Sequence, residues 1–139
     1  MDEDYSTYKY SGVTERIIQA FYTVYNELGC GFLENVYQNA LCFELRGLGF
    51  KVETQKPIEV YYKSQLVGKY TADMIIDDSI ILELKAVDKL TEDHEFQLVN
   101  YLKATNIEVG LLLNFGKDPQ IKRKRFDNEI KQKESVKIS

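Results

Sequence analysis

The sequence predicts a layered α/β (α+β) domain: one mixed sheet with helices on its faces. Three observations carry this. Two stretches with helical spacing open the chain, and after Gly49 the period changes to strand alternation. A third helical stretch then separates those strands from a wholly apolar run, residues 109–115. Such a run suits a strand covered on both faces, and a helix joining two strands normally makes them parallel through a right-handed crossover.

The elements follow in order. Residues 1–11 read as a flexible arm or short strand. Residues 13–28 carry Ile17, Phe21, Val24 and Leu28 at helical spacing, and Gly29 is suited to stop that helix in a left-handed cap. A second helix is expected over 33–48, with Val36, Tyr37, Ala40, Leu41, Leu45 and Leu48 as its stripe and Gly49 ending it. Glu34 lies in its first turn, where the helix dipole favours an acid. Residues 51–62 alternate as a strand, and Pro57 suggests an edge or a bulge. Lys63, Ser64 and Gln65 turn the chain into the next strand, where Gly68 marks a bend. Thr91 caps a helix to about residue 104, with Phe96, Leu98, Val99 and Leu102 as apolar surface and Gln97 and Tyr101 as neighbours four apart. Residues 121–126 suggest an edge strand. The expected organisation is an arm (1–11), a single domain (12–126) and a polar basic tail (127–139).

The stretch from Thr71 to Ala86, TADMIIDDSIILELKA, is the most informative. It reads as two strands around the turn residues Asp77, Asp78 and Ser79. Alternation places Tyr70, Ala72, Met74 and Ile76 on one face with Ile80, Leu82, Leu84 and Ala86. A three-residue loop pairs Ile76 with Ile80 and sets Asp73 opposite Glu83. A two-residue loop would instead scramble the apolar pattern, because a one-residue slip exchanges the faces. Like charges opposed across a ladder are destabilising, so Asp73 and Glu83 call for a cation, and Lys85 points into the same space. A solvated polar face is the ordinary explanation of strand carboxylates, but here Ile75 and Ile81 flank the charges, and half-buried charges are usually paired or bind metal.

Composition narrows the function classes. Eighteen Lys and Arg against 22 Asp and Glu give a net charge of −4, which is not the balance of a protein that coats nucleic acid nonspecifically. The basic residues gather late: Arg123, Lys124 and Arg125 form a candidate nucleic-acid contact, with a solvated tail as the plainer account. Two cysteines, Cys30 and Cys42, are too few for a disulfide scaffold, and the acidic N-terminus lacks signal-peptide features, so a cytoplasmic location is expected. No apolar run approaches membrane-spanning length, so no membrane partner is expected. The single histidine, His94, argues against a His-rich metal site or a Ser-His-Asp triad. No Gly-rich phosphate loop supports a small-molecule enzyme.

The order from the second helix onward, αβββαβ, together with Asp73 and the Glu83-Leu84-Lys85 triplet, resembles the PD-(D/E)XK nuclease superfamily, the restriction endonuclease-like fold, here with an extra N-terminal helix. More narrowly, GFLENVY (31–37), LELKA (82–86), QLVNYL (97–102) and GLLLNFG (110–116) are similar to the GxxExxY protein family. Gln97 and Tyr101 resemble the QxxxY motif of RecB-like members. The likeness covers residues 12–126. Ala72 stands where the superfamily name has Pro, and no His stands near Tyr25, where many members of the narrower family carry one.

The resemblance implies a Mg²⁺- or Mn²⁺-dependent nuclease acting on DNA or RNA. Asp73, Glu83, Glu34 and the Leu84 carbonyl would hold the metal. Lys85, flanked by carboxylates, is favoured as an orienting cation over a base, and Gln97 and Tyr101 would hydrogen-bond Lys85 or the nucleic acid. The alternative is a non-catalytic nucleic-acid or protein interaction module on the same fold. Clustered acids facing a polyanion would serve such a module poorly. A homodimer is left open by the sequence.

Overall fold

The computed structural model describes residues 9–131 and the backbone of 137–138. Its elements are α1 (Ser11–Leu28), α2 (Glu34–Gly47), β1 (Val52–Tyr62), β2 (Gln65–Ile76), β3 (Ile80–Lys85), α3 (Glu92–Lys103), β4 (Val109–Asn114), β5 (Gln120–Arg125), α4 (Asn128–Lys131) and the two-residue β6 (Lys137–Ile138). The sheet order is β5-β4-β3-β2-β1-β6. β3 and β4 run parallel and every other neighbouring pair is antiparallel. The mixed sheet and the α3 crossover are as the sequence predicts. No described helix is long and apolar enough to cross a membrane.

Two apolar cores lie on opposite faces of the sheet. One joins Ile17, Phe21 and Val24 of α1 and Tyr37, Leu41 and Leu45 of α2 to Met74, Ile76, Ile80, Leu82, Leu84, Leu111 and Leu113. The other joins Leu98, Tyr101 and Leu102 of α3 to Ile58, Ala72, Ile75, Ile81 and Leu112. β4 is buried along its whole length, as a strand covered on both faces must be.

The hairpin register is the one the three-residue loop requires: Ile76 pairs with Ile80, Ile75 with Ile81 and Met74 with Leu82. The face assignment needs one correction. Tyr70 and Ala72 do not share the face of Met74 and Ile76. Ala72 joins the α3 core and Tyr70 meets Tyr101 of α3, while Met74 and Ile76 pack under α1 and α2. β1 inverts in the same place, with Val52 in the first core and Ile58 and Val60 in the second. The crossing falls at Gln55 and Asp73, between the pairs Thr54↔Met74 and Lys56↔Ala72, where Gln55 has φ 51°. A left-handed residue turns the ribbon over locally, so simple alternation fails across it.

The domain extends slightly past its expected limits. Lys9 pairs with Glu108 at 2.9 Å and its carbonyl accepts from Arg123. Residues 1–8 of the expected arm lie outside the described residues. After β5 the chain forms α4, whose Lys131 is buried and donates to the carbonyls of Thr105 (2.8 Å) and Ile107 (2.6 Å). The rest of the expected tail lies outside the described residues, apart from the backbone of 137–138.

Candidate active site

The β2–β3 ladder stops at Met74↔Leu82, and the next position is closed by side chains. The Asp73 N–H donates to Glu83 Oε2 at 2.8 Å, and the Leu84 N–H donates to Asp73 Oδ2 at 2.8 Å. Each carboxylate thus occupies the place of a backbone carbonyl from the opposite strand. This reciprocal clamp holds both acids where the strands part, and Asp73 also lines the adjoining cleft.

Both acids respond to that confinement. Glu83 is only 4% exposed. Burial, then the neighbouring Asp73 charge, pushes its carboxyl up to about 8, while the Asp73 N–H, Lys85 and Glu34 have smaller effects. Burial also holds Asp73 above the usual carboxylate range, opposed by the Leu84 N–H, the Lys85 charge and a Gln55 hydrogen bond. Lys85 is half-buried at the end of β3, and its ammonium makes no ion pair or hydrogen bond among the described residues. It faces both acids as a cation free to meet a ligand.

Beside the clamp, Glu34, Asn35, Gln38, Gln55, Asp73 and Leu84 line a cleft of about 350 Å³. Glu34 is the first residue of α2 and reaches the cleft because the chain turns at Gly29 (φ 67°) and Gly31 (φ 113°). Tyr37 locks that turn. Its hydroxyl donates to the Gly29 carbonyl at 2.6 Å and accepts from the Phe32 N–H at 3.2 Å, and its ring stacks on Phe115 at 4.4 Å. Tyr37 is therefore a packing residue with a working hydroxyl. Glu34 is exposed at the rim, and among the described residues no three His, Cys, Asp or Glu side chains already form a metal cage. The donor set fits an ion held chiefly by two carboxylates, with Glu34 at a further remove. A buried pair of acids whose charges oppose each other is a site that a divalent cation would relieve.

Gln97 and Tyr101 sit on α3, across the sheet from Glu34. Gln97 is half-buried and makes no hydrogen bond among the described residues. Tyr101 is buried, and its hydroxyl is pushed up to about 12 by burial and then by the charges of Glu83 and Asp73. It therefore remains a proton donor at neutral pH. The basic residues of β5 are not gathered at the cleft. Arg123 donates to the Lys9 carbonyl, Lys124 pairs with Glu95 of α3, and Arg125 pairs with Asp127 at 2.7 Å. Strand alternation turns Lys124 to the α3 face and its two neighbours to the other.

Three supports escaped sequence reading. Gln55 combines a left-handed backbone with a side chain that donates to Gln38 at 2.9 Å and touches Asp73. Asn114, buried beside Lys85 in the β3–β4 register, accepts from the N–H groups of Val87 (3.0 Å) and Gly116 (3.1 Å) and donates to the Val87 carbonyl at 2.8 Å. Gly116 permits this contact, since a Cβ there would lie 1.8 Å from the Val87 oxygen. Together Asn114 and Gly116 fix the chain leaving β3 just after Lys85. An Asn inside an apolar strand, with Gly two residues later, was the available signal.

Residues 11–126 match the family model of the PD-(D/E)XK nuclease superfamily. The crystal structure of SSO0001 is similar in fold, with a TM-score of 0.52 and 22% identity, covering 88% of this chain. This chain spans 63% of that one. No curated protein matches the sequence.

Proposed function

The chain belongs to the PD-(D/E)XK nuclease superfamily, and from that premise we propose that it is a divalent-metal-dependent nuclease hydrolysing phosphodiester bonds in DNA. The single observation that supports this reading is the reciprocal clamp of Asp73 and Glu83 at the parting of β2 and β3, with the unpaired Lys85 ammonium facing it. Nucleases of the superfamily generally use divalent metals. Asp73 and Glu83, with the Leu84 carbonyl, would hold Mg²⁺ or Mn²⁺, and Glu34 would reach it through water. Such an ion supplies charge neutralisation at the phosphate and a water of lowered pKa.

The chain's own residues do the rest. The backbone N–H groups of Asp73 and Leu84 fix the carboxylates in position before substrate arrives, which removes reorganisation from the reaction. Lys85 orients the attacking water or holds a non-bridging phosphate oxygen. Tyr101, kept protonated by its surroundings, and Gln97 offer donors on the α3 side. Arg123, Lys124 and Arg125 of β5 are the candidate contacts for backbone phosphates, each of which would exchange its present partner (the Lys9 carbonyl, Glu95 and Asp127) for the polyanion. The motif Gly31-Glu34-Tyr37 supports a narrower reading, membership of the GxxExxY family, in which Tyr37 would hold Glu34 at the cleft. A cytoplasmic setting fits two free cysteines.

The test is incubation of pure protein with linear, circular and single-stranded DNA and with RNA, with Mg²⁺, Mn²⁺ or chelator. Metal-dependent cleavage of DNA that Glu83→Ala and Lys85→Ala both abolish is the expected result. Cleavage surviving both substitutions refutes the site, and no cleavage of any substrate favours an interaction module.

A further inference from the structure

We propose that Tyr70 is a stacking platform for an unpaired nucleobase, so that the protein engages its substrate as a single strand. The proposal rests on the nuclease reading above and names the substrate form.

Tyr70 lies on β2, three residues before Asp73, and is 49% exposed although its ring is held in place. The Tyr70 ring lies across Gly68, where a Cβ would stand 3.3 Å from Tyr70 Cε2. On the α3 side it meets Tyr101, with centroids 5.7 Å apart and planes at 48°. Tyr101 in turn lies within electrostatic reach of both Glu83 and Asp73. The crossing at Gln55 and Asp73 is what puts Tyr70 on this side, since unbroken alternation would have placed it with Met74 under α2.

A ring already fixed on two sides loses little freedom when a flat partner covers it, so its contact area converts efficiently into affinity. Every nucleobase has a flat apolar face, and aromatic side chains in grooves that bind single strands use it. Bases inside a duplex are already stacked on each other and offer no free face. Charge points the same way. A chain of net charge −4, in which Arg123, Lys124 and Arg125 of β5 already have partners within the chain and Lys122 is exposed, offers less free positive surface for duplex phosphates than its basic run suggests. The plainer account is that Tyr70 only covers Gly68, an aromatic over a strand glycine. The two accounts differ in what Leu would do at this position. It still covers the glycine but cannot stack.

The chain contains no tryptophan, so Tyr70→Trp supplies a single tryptophan reporter, excited selectively at the red edge where the tyrosines do not absorb. In chelator, oligothymidylate should quench that emission, and the same oligonucleotide annealed to its complement should not. Tyr70→Leu should keep the wild-type melting temperature and weaken single-strand binding about tenfold, with Tyr70→Phe close to wild type. Equal quenching by duplex, or single-strand binding by Tyr70→Leu as tight as wild type, overturns the platform alone. Wild-type protein that neither binds nor, with Mg²⁺ or Mn²⁺, cuts any form overturns the nuclease reading and the platform with it.

Discussion

Glu83→Gln should stabilise the metal-free protein at alkaline pH and do almost nothing in acid. The native Glu83 carboxyl takes its proton at about 8, against an ordinary 4.5. Between those values the native chain holds one more proton than the unfolded chain, so stability falls as pH rises through the window. The slope is about 1.4 kcal/mol per pH unit, and the whole window amounts to roughly 3–5 kcal/mol. Asp73 is also held above its usual range and titrates together with Glu83, so the window belongs to the pair. Glutamine keeps a carbonyl oxygen to accept the Asp73 N–H and has no charge to lose. In chelator, urea unfolding from pH 5 to 9 should show the two proteins diverging, with wild type the weaker above pH 7. Saturating Mg²⁺ should restore the wild type and leave Glu83→Gln much less affected, because only a state that binds metal gains from it. Parallel stability curves across the pH range would refute the reasoning, since they would mean that Glu83 is not confined as described.

Gly116→Ala should cost roughly 3 kcal/mol by denaturant unfolding, because its Cβ would meet the Val87 carbonyl at 1.8 Å and break the Asn114 bonds. Lys131→Met leaves the carbonyls of Thr105 and Ile107 without their donor, and melting should show a loss of about 1–3 kcal/mol. An unchanged melting temperature would mean that α4 contributes nothing to the domain. Gln55→Gly should gain up to about 1 kcal/mol by relieving φ 51° and yet lower cleavage, since Asp73 loses its amide neighbour. Undiminished cleavage by that variant would make Gln55 a turn residue only.

Local chemistry determined much of this protein. Periodicity and caps set α1, α2 and α3 to within two or three residues, with Thr91 accepting from the His94 N–H as a helix cap should. The three turn residues Asp77, Asp78 and Ser79 fixed the hairpin register, and that register alone brought Asp73 to Glu83. Alternation of the predicted edge strand was also enough to separate Lys124 from Arg123 and Arg125, although their adjacency in sequence suggested one patch. Other features needed the tertiary structure. Nothing near Gln55 in sequence announces a left-handed residue at which β1 and β2 exchange faces; only the packed sheet shows Met74 in one core and Ala72 in the other. Asn114 finds Val87, Lys131 finds Thr105 and Ile107, and Tyr70 finds Tyr101 only after β4 and α3 are in place. A backbone period is written in neighbouring residues, whereas a buried polar partner is chosen by whichever distant group the packed chain leaves without one.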